Sequence, residues 1–172
     1  MLAAVRGDLA ERLVKASELH GDFLLSSGKR SAVYFDKFRF LADPALLREL
    51  AEAVRGLVPE GVTHLAAPEG AATLLLAAVG LETGLPLVVV RKEPKAYGTG
   101  AQVEGLLSSG ARVALIEDVS TTGRQVEQAA KALEDQGAVV DGIVLALDRG
   151  GAERLRRAGY RVEAVVTLEV EG

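Results

Sequence analysis

Cysteine, asparagine and tryptophan are absent from the 172-residue sequence, and methionine occurs once. Without cysteine there is no disulfide, no thiolate nucleophile and no thiolate metal site. Two histidines, His20 and His64, are too few for a His-rich metal centre, and neither is assigned a role. Any metal is therefore expected to be oxygen-ligated, which favours magnesium. No apolar run approaches membrane-spanning length, and Met1 to His20 is interrupted by Arg6, Asp8, Glu11, Arg12 and Lys15. A secretory leader is not expected, and the chain reads as cytoplasmic. A net charge of −4 and a pI near 5.3 supply no basic field, so neither nucleic acid nor membrane is an expected partner.

What is present is 49% hydrophobic residues, enough at this length for one sizeable core. The expectation is a single domain over 1–172, with residues 21–40 contributing a small hood. Apolar residues at Val5, Leu9, Leu13 and Ala16, and again at Leu47, Leu50, Ala51 and Val54, have the spacing of amphipathic helices. Between them, Gly21 to Phe38 alternates around a central SSGK and predicts two short strands joined by a turn. All four phenylalanines, Phe23, Phe35, Phe38 and Phe40, fall in this region, either as a cluster of its own or as part of the main core. From Val62 onward, short apolar runs (THLAA, PLVVV, VALIE, GIVLAL, VEAVVTL) alternate with helical stretches. This is a βαβ series. It predicts an α/β fold with a mostly parallel, doubly wound sheet flanked by helices, and ligands of such sheets collect beyond the carboxyl ends of the strands.

The most informative of those ends follows VALIE. Val113 to Ile116 is predicted as a buried strand ending in Glu117 and Asp118, followed by VSTTG and a helix with face Val126, Ala129, Ala130 and Leu133 and a stop at Gly137. Thr122 with Gln125 three residues on fits a capping box. A helix N-terminus offers unpaired N–H groups and partial positive charge, the hydroxyls of Ser120, Thr121 and Thr122 add donors, and Gly123 allows close approach. Together they suit a dianionic phosphate. The two acids cannot bind that phosphate, but they can accept hydrogen bonds from sugar hydroxyls or position hydrated magnesium. Neither a P-loop lysine nor a complete dinucleotide-binding glycine pattern is present. After PLVVV, the segment RKEPKAYGTG gathers Arg91, Lys92 and Lys95 beside Gly98 and Gly100. Such a loop is suited to close over an anionic leaving group.

VALIEDVSTTG resembles the phosphoribosyl diphosphate (PRPP) motif of type I phosphoribosyltransferases, in which two acids contact the ribose and the following loop grips the 5′-phosphate. RKEPKAYG is similar to the catalytic loop of orotate phosphoribosyltransferases, the hood segment to that family's FxLxSGxxSxxYF pattern, and LALDRGG to its orotate-binding arginine. The four motifs run in order from Gly21 to Gly151. The resemblance implies magnesium-dependent transfer of ribosyl 5-phosphate from PRPP to orotate, yielding orotidine 5′-monophosphate and pyrophosphate in pyrimidine synthesis. It implies catalytic roles for Lys95, Asp118 and Glu117. PRPP contacts are implied for Arg91, Lys92, Lys95, Tyr97 and the run Glu117, Asp118, Val119, Ser120, Thr121, Thr122, Gly123, Arg124 and Gln125. Orotate contacts are implied for Thr121, Arg149, Tyr34, Phe35 and Lys29. No protein metal ligand is implied, magnesium being held mainly by PRPP and water. A homodimer sharing the basic loop across its interface is also implied.

Three positions depart from the family pattern. Tyr97 stands where many members have histidine. Ser26 stands where others carry lysine, with Lys29 or Arg30 as substitutes. APEGAAT, Ala67 to Thr73, matches the pyrophosphate loop loosely and puts Glu69 where its charge would repel pyrophosphate. The alternatives are transfer to a purine or another base, for which Arg149 is the discriminating residue, and a non-catalytic PRPP-sensing regulator of the same fold.

Overall fold

The computed structural model describes residues 2–24, 28, 30–94 and 101–168, and contacts along the chain divide it into two units, Met1–Leu47 and Arg48–Gly172. The smaller unit contains the hood segment and adds a helix on each side of it. Helix α1 (Leu2–Ser17) buries Leu9 and Leu13, and the Ser17 hydroxyl donates to the Leu13 carbonyl at 2.6 Å. Strands β1 (Glu18–Leu24) and β2 (Arg30–Phe35) pair antiparallel, with a register irregularity between His20 and Phe23. The expected second strand stops short of Phe38. The Asp36 carboxylate accepts from the Phe38 N–H at 3.0 Å, and that cap starts the short helix α2 (Lys37–Leu41) instead. The phenylalanines divide accordingly. Phe23 stacks obliquely on Tyr34 (5.5 Å) and Phe35 on Phe40 (6.5 Å), while Phe38 is exposed.

Helix α3 (Pro44–Arg55) is capped by Asp43, whose carboxylate accepts from Ala45 N and Leu46 N. It buries Leu50, Ala51 and Val54 as the spacing predicts, but Leu46 is buried in place of Leu47, which is only half-buried. The larger unit is then a βαβ series. Strand β3 (His64–Pro68), helix α4 (Ala72–Thr83), β4 (Leu87–Val90), β5 (Val103–Gly105), β6 (Arg112–Ser120), α5 (Arg124–Asp135), β7 (Val139–Asp148), α6 (Gly151–Arg157) and β8 (Val162–Thr167) follow in order. The strands form one sheet in the order β5-β4-β3-β6-β7-β8. All neighbours are parallel except β4 and β5, and β5 is an edge strand that the apolar pattern did not announce.

One face of the sheet presents Ala66, Val88, Val113, Leu115, Ile143 and Leu145 to a cluster completed by Val126, Ala129 and Leu133 of α5 and by Ala152 and Leu155 of α6. The intervening residues Leu65, Ala67, Ala114 and Ile116 are equally buried, and α4 lies against β3, β4 and β6. Burial on both faces explains why these strands read as continuous apolar runs. The chain order reverses between β3 and β6. In an open parallel sheet this is the point where loops diverge and leave a crevice at the carboxyl ends.

Helices α5 and α6 are tied by Glu127, whose carboxylate accepts from Lys131 Nζ at 2.7 Å and Arg154 Nε at 2.6 Å. The Lys131 ammonium, followed by the Arg154 guanidinium, holds this carboxyl below the usual carboxylate range. A carboxyl so lowered stabilises the fold above the unfolded-state value and loses that contribution as pH falls through its folded value. Glu127→Gln is therefore expected to flatten the loss of stability as pH falls below the ordinary carboxylate range, as read from urea midpoints at acid pH. An unchanged acid slope would show that the bridge carries no linkage.

Candidate active site

Glu117 and Asp118 are not terminal, as their sequence context suggests. Strand β6 continues to Ser120, held by its pairing with β7 at Glu117 and Leu145, Val119 and Leu147, and Ser120 and Asp148. The acids are consequently buried, with Asp118 fully covered and Glu117 5% exposed. Each folds back on the backbone beside it: Glu117 Oε1 accepts from Asp118 N at 3.1 Å, and Asp118 Oδ1 accepts from Val119 N at 2.6 Å. Carboxylates in such surroundings are oriented rather than solvated.

The helix start also differs from the expected capping box. Helix α5 begins at Arg124, its N-cap is Gly123 at φ 72°, and no side chain caps it. The Thr122 hydroxyl reaches Arg124 N only at 3.5 Å, the limit of a hydrogen bond. Left-handed backbone at Gly123 turns the chain too sharply for Thr122 to reach the N3 amide. The first-turn N–H groups are thus left to an external acceptor. Thr121, Thr122, Arg124 and Gln125 are exposed around this turn, and Val119 is half-buried. Ser120 is different. Its hydroxyl is buried, finds no hydrogen-bond partner among the described residues, and lies against Gly151, so it sits beneath the loop and not at its mouth. The helix ends as expected, with Gly137 at φ 81° after the Gln136 cap.

The turn after β7 is locked to this loop. Arg149 N donates to the Ser120 carbonyl at 2.8 Å. The Asp148 carboxylate accepts from Gly150 N at 3.0 Å and Ala152 N at 3.1 Å, which shapes the turn carrying Arg149. A Cβ on Gly151 would sit 2.0 Å from the Ser120 hydroxyl, and one on Gly123 would sit 2.6 Å from the Gly151 carbonyl. Asp148 was not singled out from sequence, although the D-R-G-G string holds the signal: an acid two residues before a glycine that opens a helix.

At the ends of β3 and β4, Glu69 and the Arg91–Lys92 pair lie side by side. Arg91, Lys92, Gln102, Gln125 and Gln128 line one crevice with Pro68, so the basic segment and the start of α5 share it. Gln102 and Gln128 were invisible to motif reading because single glutamines carry no pattern. His64 opens β3 at the opposite, amino end, where its Nδ1 lies 2.9 Å from the Thr63 hydroxyl, and His20 is exposed in the smaller unit. Tyr34 and Phe35 are neighbours on β2, with their ring partners described above. Lys29, Lys95, Tyr97 and Ser26 lie outside the described residues.

No family model matches the chain. Curated relatives do. The sequence is 42% identical over 155 residues to an orotate phosphoribosyltransferase of Thermococcus gammatolerans, covering 87% of this chain and 82% of that protein. It is 38% identical over 169 residues to that of Pyrococcus furiosus, covering 95% and 91%. The chain belongs to the orotate phosphoribosyltransferase family. Among solved structures, the Mycobacterium tuberculosis orotate phosphoribosyltransferase in complex with PRPP superposes with a TM-score of 0.79 at 27% identity, covering 95% of this chain and 96% of that one. This membership makes the chain a glycosyltransferase, and it accounts for the sheet, the flanking helices and the N-terminal hairpin as the family's fold.

Two substitutions separate the observed helix start from the expected one. Thr122→Ala should leave the unfolding temperature nearly unchanged, whereas a capping threonine would cost about 1 kcal/mol. Gly123→Ala should cost more than about 1 kcal/mol, because the left-handed backbone and the Gly151 carbonyl both oppose a methyl group. Calorimetric melting of the two variants checks this, and the reverse order would restore the capping box.

Proposed function

We propose that this protein transfers the ribosyl 5-phosphate of PRPP to N1 of orotate, releasing pyrophosphate and forming orotidine 5′-monophosphate for pyrimidine synthesis. The observation that carries the reading is the uncapped start of α5 beside a buried acid pair, with the Arg149 turn hydrogen-bonded to the same loop. The 5′-phosphate takes the first-turn amides with Thr121, Thr122 and Gly123, and Arg124 and Gln125 flank it. Asp118 and Glu117 orient the ribose hydroxyls and support the positive charge that develops at C1 as its bond to the diphosphate oxygen breaks. Orotate N1 attacks the opposite face and gives up its proton, and the electron pair of the broken bond leaves with pyrophosphate, whose oxygens can take up that proton. Arg91, Lys92 and Lys95 neutralise that leaving group. Arg149 pairs with the orotate carboxylate as a planar fork, and Thr121, Tyr34, Phe35 and Lys29 complete the base site.

Magnesium fits the chemistry of the donor set, since Glu117 and Asp118 supply hard oxygen acceptors. The two acids would face a hydrated ion that PRPP itself carries. Bound magnesium supplies charge neutralisation to the diphosphate. A homodimer is supported by α4, whose run 74–81 is apolar throughout yet exposes Leu74 and Leu81. An all-apolar helix calls for cover on both faces, and a second copy provides it. Among the described residues no helix is long and apolar enough to cross a membrane, and we read the enzyme as cytoplasmic, where a phosphorylated substrate is retained.

Orotate consumption followed by absorbance, with PRPP and magnesium, tests the reading directly. Turnover of a purine but not orotate would reassign the base, and PRPP binding without turnover of any base would make the protein a sensor. Lys95→Ala should lower kcat by about two to three orders of magnitude while PRPP affinity changes little; an unchanged kcat would remove the loop lysine from the mechanism. Arg149→Ala should raise KM for orotate about a hundredfold or more, as loss of one partner of a desolvated charge pair does, and leave KM for PRPP within about threefold. Equal effects on both substrates would displace Arg149 from the base site.

A further inference from the structure

Resting on the phosphoribosyltransferase reading, the geometry points to Glu69 as a positioning residue for diphosphate binding, acting through Arg91 and Lys92. From sequence this acid looked unfavourable, since a carboxylate beside pyrophosphate repels it. Its contacts say otherwise. Glu69 follows Pro68 at the end of β3, and its own N–H donates to the Val90 carbonyl at 2.8 Å, so its backbone is fixed to the end of β4. One carboxylate oxygen accepts from the Lys92 N–H at 2.8 Å. The other lies 3.7 Å from an Arg91 guanidinium nitrogen.

A single side chain therefore holds two consecutive cationic residues as they leave the sheet. The opposite leg of the segment is held too: Arg91 N donates to the Gln102 carbonyl at 2.8 Å, and Gln102 Nε2 donates to the Arg91 carbonyl at 3.2 Å. With Gln102 on one side and Glu69 on the other, the backbone of Arg91 and Lys92 has little freedom. Glu69 and Arg91 are each about one-third exposed, so the ion pair by itself contributes little energy. Its effect is geometric. Charge on Glu69 is committed to Arg91 and to the Lys92 amide, which leaves the Lys92 ammonium to an incoming anion. Arg91 Nε is buried and finds no acceptor among the described residues, and a crevice of about 10 Å³, room for one water, brings both cations beside the start of α5. Pre-set cations bind a diphosphate without the entropic cost of ordering them at that moment.

The sign of one measurement separates positioning from repulsion. Binding of PRPP and of inorganic pyrophosphate, each with magnesium, is measured by titration calorimetry for the wild type, Glu69→Ala and Glu69→Gln, alongside KM for both substrates and the melting temperature. If Glu69 positions the cations, Glu69→Ala weakens both diphosphates about tenfold and leaves KM for orotate within about twofold. Glu69→Gln keeps an oxygen acceptor for the Lys92 amide and should recover most of that loss. Unchanged or tighter diphosphate binding in Glu69→Ala would overturn the inference, as would an equal loss for both substrates accompanied by a lower melting temperature. A wild type that binds pyrophosphate but does not turn over orotate would fail the orotate assignment, and the comparison of variants would still decide the role of Glu69.

Discussion

The loop after β6 and the turn after β7 approach so closely that neither Gly123 nor Gly151 has room for a Cβ. The rest of the site depends on that contact. It is set by the parallel register that places Ser120 opposite Asp148 and is closed by the hydrogen bond from Arg149 N to the Ser120 carbonyl. The turn that carries Arg149, proposed above to meet the base, is thereby fixed against the loop proposed to hold the phosphate. Transfer between two substrates requires this, because the reacting atoms must be held within a few tenths of an ångström. Two rigid strands deliver that precision better than two free loops.

A second consequence concerns how the anion site stays open. A helix N-terminus closed by its own threonine is a stable start but a poor receptor, since the amide that would meet phosphate is already engaged. Left-handed Gly123 prevents that closure. The acid pair is handled in the opposite way. Glu117 and Asp118 are buried and given backbone donors on their own strand, which holds them in one orientation. The first-turn amides of α5 are thus left without a side-chain cap, and the acid pair is ordered in advance.

Much of this was legible in the residues. Continuous apolar runs separated by helical stretches required a parallel sheet covered on both faces, and the carboxyl-end rule then pointed to the loops holding Arg91 and Thr121, while Arg149 and Glu69 were reached only through the family resemblance. Less legible were features lacking a periodic or compositional signal. The edge strand β5 spans three residues, α2 arises from the single cap of Asp36, and Gln102 and Gln128 enter the crevice as isolated side chains. A capping-box pattern at Thr122 and Gln125 was read correctly as spacing and wrongly as contact, because spacing does not report the φ of the residue between them.

The sequence by itself determined the kind of fold, the family, and the chemical character of each loop: acids before the phosphate turn, cations after β4, an arginine after β7. The fold and the loop chemistry follow from local pattern and composition, and the family from the resemblance of four motifs, none of which needs knowledge of what lies across the sheet. Only the tertiary structure decided how the loops relate. It extended β6 through the acids by pairing with β7, buried the Ser120 hydroxyl against Gly151, and set the Glu69 carboxylate, an apparent source of repulsion, against the Lys92 N–H and the Arg91 guanidinium. Each of these rests on a contact between residues far apart in the chain, where the partner decides the energy of a charged or polar group and residue type alone does not.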